Sequence, residues 1–156
     1  MYIQAFGLYI CNNHMKISES KFCQCIYFTT NALARKIEKL ALKSWKPVNL
    51  SPSHAYLILM VLQEPGTQPG CIANHLQLSP STVTRLIEKL EEKGLATRIT
   101  EGKTTKIFPT AAAKQLLPAL LECSNQFYNS CNNILGRDES NELICNMTKI
   151  ADKLEM

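Results

Sequence analysis

Residues 69–93 constrain this chain more than any other stretch. Pro69 opens a short run with Ile72, Ala73 and Leu76 at helical spacing. Gln77, Leu78 and Ser79 leave room for only a tight connection. Ser79 then offers a helix cap, and Pro80 fills the first helical position, where a missing N–H costs nothing. Val83, Leu86, Ile87 and Leu90 follow as an apolar stripe, and Gly94 stands where a helix can end in the left-handed conformation. Next come two β-branched runs, 96–100 and 104–108, around Glu101-Gly102-Lys103, which reads as a hairpin with glycine in the turn. Two short helices on a tight turn, followed at once by a hairpin, make a winged helix-turn-helix.

The flanking segments read as helices. Residues 18–45 carry Phe22, Cys25, Ile26, Thr29, Leu33, Ile37, Leu40 and Leu42 at spacings of three and four, with Ser18 as cap and Pro47 as stop. So long an apolar stripe must bury against something, and a partner subunit is one choice. Residues 52–64 are apolar nearly all round, which places them in the core, and Pro65-Gly66 ends them. Thr67 is the expected cap of the helix opening at Pro69. Pro109-Thr110 precedes a long helix from 111 to about 135, kinked at Pro118, and a last helix starts at Asp138/Glu139. The expected order is α-α-α-α-β-β-α-α: mainly α with a small β-hairpin wing. The expected domains are an extension (1–17), an N-terminal dimerisation helix (18–47), a winged lobe (48–110) and C-terminal dimerisation helices (111–156).

Charge supports a division of labour. Residues 1–110 hold 13 Lys/Arg against 7 Asp/Glu, whereas residues 111–156 hold 4 against 6. A basic front suits nucleic-acid contact, although such an excess is common on globular chains. Residues 1–11 are apolar but lack a preceding basic residue and a cleavage site, so they do not read as a signal peptide; the expected location is cytoplasmic. Seven cysteines, at 11, 23, 25, 71, 123, 131 and 145, are odd in number and irregular in spacing. They read as reduced, buried thiols and not as a disulfide framework. Cys23-x-Cys25 and the scattered His14, His54 and His75 give no metal-site spacing. No nucleophile–base pair or phosphate loop stands at usable spacing, so neither enzyme activity nor a cofactor is expected.

The second helix of the pair exposes Ser81, Thr82, Thr84, Arg85, Glu88 and Lys89. An arginine can bond a guanine edge through two N–H groups, hydroxyls reach bases or phosphates, and a helix N-terminus favours a phosphate. The plainer alternative is a well-capped helix with solvated side chains.

The residues Ser81-Thr82-Val83-Thr84-Arg85-Leu86-Ile87, then Leu90-Glu91-Glu92-Lys93-Gly94-Leu95, then Arg98, resemble the MarR family of bacterial transcriptional regulators. The resemblance is dense over residues 50–117 and looser over 22–45 and the tail. It implies a homodimeric repressor with one recognition helix per major groove of a palindromic double-stranded operator. On that basis Ser79, Ser81, Thr82, Thr84, Arg85, Lys89, Arg98, Lys103 and Lys106 are the expected DNA-binding residues. Two departures stand out. The family wing carries an Asp-x-Arg motif, but this wing reads Thr100-Glu101-Gly102-Lys103-Thr104-Thr105-Lys106, and lysine lacks the planar fork of arginine. The start of the last long helix also lacks the family glycine.

The resemblance further implies release by a signal. One candidate is a small aromatic effector between the dimer helices and the winged lobe, near Trp45, His54 and Tyr56, which otherwise read as packing residues. Another is peroxide. In the hydroperoxide-sensing branch a reactive cysteine opens the first long helix with a tyrosine one turn on, and here Cys23 and Tyr27 are expected on one helix face. The alternative is that Cys23 and Cys25 are small interface hydrophobes. A third reading, motivated by the missing wing arginine, is a winged-helix protein-interaction module without DNA binding.

Overall fold

The computed structural model describes residues 15–154. Residues 1–14, most of the expected extension and with them Cys11, lie outside the described residues, as do 155 and 156. The elements run α1 (Ile26–Trp45), α2 (Pro52–Gln63), α3 (Pro69–Leu76), α4 (Pro80–Glu92), β1 (Ala96–Glu101), β2 (Thr104–Pro109), α5 (Ala111–Leu135) and α6 (Arg137–Lys153), with short 3-10 turns at Ile17–Glu19 and Lys46–Val48. This is the expected order.

The chain divides into two units, Met1–Ile37 and Glu38–Met156. In the first, the helix starts later than expected. Ser18 does not cap it; residues 17–25 form a 3-10 turn and further turns, and the first helical carbonyl to accept an N–H is that of Cys25, from Thr29 at 3.0 Å. The Ser20 hydroxyl accepts the Phe22 N–H at 3.2 Å, a local bond that competes with the helical ladder. The Phe22 and Phe28 rings pack at 4.8 Å across this bend.

The second unit is built around α2, whose Ala55, Leu57, Ile58 and Val61 are fully buried. It touches α3, α4, α5 and β2. The core is completed by Trp45 from the end of α1, Ile72 of α3, Val83, Ile87 and Leu90 of α4, Ile107 of β2 and Leu120 of α5. Ile72 and Ala73 are buried as the spacing predicts; Leu76 and Leu78 are half-buried at the rim.

The hairpin is antiparallel, with Arg98 opposite Ile107 and Glu101 opposite Thr104. Gly102 (φ 61°) takes the first turn position and Lys103 the second, the arrangement of a two-residue loop with glycine first. Gly66 N–H donates to the Ile107 carbonyl (2.8 Å) and Ile107 N–H to the Thr67 carbonyl (3.0 Å), so the α2–α3 loop pairs with the wing's root. Thr67 therefore serves this bridge, and Gln68 takes the N-cap position of α3. Of the six cysteines among the described residues, only Cys123 is buried; Cys25 and Cys131 are half-buried and Cys23, Cys71 and Cys145 exposed, contrary to the expected burial. No helix among the described residues is long and apolar enough to cross a membrane.

Candidate nucleic-acid interface

The site is α4 and the hairpin beside it. The Ser79 Oγ accepts the Thr82 N–H at 3.2 Å and lies 3.0 Å from Ser81 Oγ and 2.8 Å from Thr82 Oγ1. One hydroxyl thus caps the helix and gathers two more at its N-terminus, where backbone N–H groups are unpaired. Thr84 Oγ1 donates back to the Pro80 carbonyl (2.9 Å). The buried stripe Val83, Leu86, Ile87 and Leu90 turns Ser81, Thr82, Thr84, Arg85, Glu88 and Lys89 outward, all exposed. The helix ends in a complete left-handed cap: Gly94 (φ 67°) donates to Glu91 O at 2.9 Å, and Leu95 to Leu90 O at 2.9 Å.

The expected cations fall into two groups. Arg85 and Lys103 make no ion pair among the described residues. Lys89 Nζ bonds Glu92 at 2.6 Å, Arg98 Nη2 bonds Glu91 at 2.8 Å, and Lys106 stands 4.0 Å from Glu101. The Lys89 and Lys106 pairs are solvent-exposed and easily exchanged for another anion. The Arg98 pair is more shielded, each side chain being one-third exposed. Sequence reading placed Arg98 among the DNA-binding residues and missed its pairing with Glu91; charge signs seven residues apart across a helix end carry no register to pair them. It also missed Lys93, whose Nζ donates to the Asn49 carbonyl at 3.2 Å.

Two of the three expected effector residues, Trp45 and Tyr56, are in ring contact. Trp45 is fully buried with its Nε1–H unpaired, and its ring meets Tyr56 edge-on at 5.2 Å. Burial pushes the Tyr56 phenol up, partly offset by a hydrogen bond to Ser124. His54 instead lies at the start of α2, its Nδ1 2.7 Å from Ser51 Oγ. Burial first, then Lys93 and Lys89, hold its pKa below the usual imidazole value. An open cavity of about 320 Å³ lies elsewhere, between Leu135 of α5 and Glu139, Glu142, Leu143 and Asn146 of α6. Cys23 and Tyr27 do not share a helix face: Cys23 sits in the turn before α1, so the i, i+4 geometry expected for a thiol–phenol pair is not formed.

Residues 48–105, from the 3-10 turn before α2 to the start of β2, match the model of the MarR family. Over the winged-helix segment the chain is similar to the MarR family. The MarR fold extends past that segment. The chain is similar to the S. aureus MepR–DNA complex at 19% identity and a TM-score of 0.72, covering 83% of this chain and 98% of that one. It is similar to the transcriptional repressor CouR bound to a 23-mer DNA duplex at 19% identity and a TM-score of 0.75, covering 88% and 99%. CouR bound to p-coumaroyl-CoA gives the same identity and TM-score, covering 88% and 98%. A search of curated proteins found no match. At these identities the MarR structures establish the fold of this chain.

Proposed function

We propose that this chain is a cytoplasmic transcriptional regulator that binds double-stranded DNA as a homodimer, placing each α4 in a major groove of a palindromic operator. The observation that carries this reading is the outward face of α4. A capped N-terminus with three hydroxyls and an unpaired arginine projects from a helix whose opposite face is the lobe's core. That is the chemistry of base and phosphate contact, and it stands beside a wing ending in Lys103. The same fold is found on DNA in the MepR and CouR complexes. Ser81, Thr82, Thr84 and Arg85 contact the groove, Ser79 organises them, and Lys103, with Lys89 and Lys106 on release from their carboxylates, contacts the backbone.

The terminal segments serve dimerisation. Ile26 and Tyr27 in the first unit, and Ile134, Ile144, Ile150 and Leu154 in the second, are large apolar side chains left exposed. Surfaces of this kind mark interfaces. The chain acts as a repressor, released by a small organic effector; the ligand-bound form of CouR supports a small-molecule signal.

Fluorescence anisotropy on duplexes selected from a random library tests the reading. Specific binding whose affinity falls steeply with salt, by roughly 0.9 log units per log unit of salt for each phosphate neutralised, is the expected result. Absence of any selected duplex would favour a protein-interaction module instead.

A further inference from the structure

We infer that Arg98 is a positioning residue and not a DNA contact: its ion pair with Glu91 braces the wing against the recognition helix. The consequence for DNA rests on the function proposed above; the brace itself does not.

Alternation along β1 puts Ala96, Arg98 and Thr100 on one face and Thr97, Ile99 and Glu101 on the other. Ala96 is buried, and the residue opposite Arg98 is Ile107, fully buried. Arg98 therefore leaves the strand on the side turned toward the lobe. Its Nη2 meets Glu91 Oε2 at 2.8 Å, with the two side chains 33% and 32% exposed. A charge-assisted bond of that length, shielded on most of its surface, holds better than an open surface pair.

Its place in the fold makes it a brace. Glu91 lies in the last turn of α4, the helix that carries Arg85; β1 leads directly to the turn that carries Lys103. The other ties of the hairpin sit at its root: the Gly66–Ile107 and Ile107–Thr67 backbone bonds, and Thr110 Oγ1 to Gly94 O at 2.7 Å. Among the described residues, Arg98–Glu91 is the only side-chain bond between α4 and β1. A wing without a tip arginine depends on where its lysines are held. The brace sets that position relative to the groove helix.

A phosphate contact and a brace make opposite forecasts for Glu91→Gln. If Arg98 binds phosphate, Glu91→Gln frees it and removes a negative charge near DNA, so affinity rises. If Arg98 is the brace, Glu91→Gln and Arg98→Gln both weaken binding to the selected duplex, by about three- to tenfold, and the swap Glu91→Arg with Arg98→Glu restores it to within about twofold. In the free protein, amide exchange over residues 100–105 speeds up in both single variants and returns in the swap. Tighter binding by Glu91→Gln, a swap that fails to restore, or unchanged exchange over 100–105 would overturn the brace. Should the wild type select no duplex, the DNA reading fails, and the exchange measurement still decides the brace by itself.

Discussion

Gln77 occupies a backbone conformation that usually belongs to glycine. Its φ of 51° and ψ of 46° are left-handed, and the bonds around it, Gln77 N–H to Asn74 O (3.3 Å) and Leu78 N–H to Ala73 O (3.0 Å), complete the same cap that Gly94 completes on α4. Its amide recovers part of the cost by donating to Asn74 O at 2.8 Å. A Cβ here still opposes the conformation, so Gln77→Gly is expected to raise unfolding free energy by about 0.5–1 kcal/mol, read from urea melts, and leave DNA affinity unchanged. Arg85 is the opposite kind of residue, exposed and without an ion pair, so removing it should leave folding intact. Arg85→Ala should weaken specific binding by about 1–3 kcal/mol and relax base preference at one half-site position in a selection experiment. Uniform weakening across sequences would assign it to a phosphate instead.

At the scale of elements, α4 holds its register by its cap and its stripe. Ser79→Ala removes the bond to Thr82 N–H and releases Ser81 and Thr82, so it should cost about 1 kcal/mol of stability. It should also lower DNA affinity, because the hydroxyls lose their organiser. The start of α2 carries a pH dependence. His54 has a depressed pKa in the folded chain, so the unfolded chain binds a proton more readily. Its contribution is full above the ordinary imidazole pKa and is lost as pH falls below it toward the folded value. Thermal melts from pH 7.5 to 5 should show that loss, and His54→Gln should flatten it. A wild-type profile matched by the variant would locate the dependence elsewhere.

At the scale of the whole molecule, the proposed dimer rests on the exposed apolar side chains of α5 and α6. Ile144 is 59% exposed and Ile150 51%. Burying such side chains contributes about 1.5–3 kcal/mol each, enough for a few of them to decide association. Ile144→Asp with Ile150→Asp is expected to convert a dimer to a monomer in sedimentation velocity and to abolish tight operator binding, because one half-site alone holds half the contacts. A variant that stays dimeric would move the interface off α6.

The amino-acid sequence by itself determined the order of elements, the helix-turn-helix with its wing and the outward face of α4. These follow from local rules: the 3.6-residue period, proline at helix starts, glycine at the left-handed cap of α4 and in the hairpin turn. Tertiary structure decided what those rules do not reach. The first helix begins at Ile26 because Ser20 and the Phe22–Phe28 packing turn the chain locally, which removes the Cys23–Tyr27 helix face. Trp45 joins the core while His54 faces two lysines, since their directions depend on which helices pack together. Arg98, which the family resemblance assigns to DNA, is paired with Glu91, a contact made when β1 folds back beside the end of α4. Periodicity tells which face of an element is buried; only the packed chain tells which charge answers which.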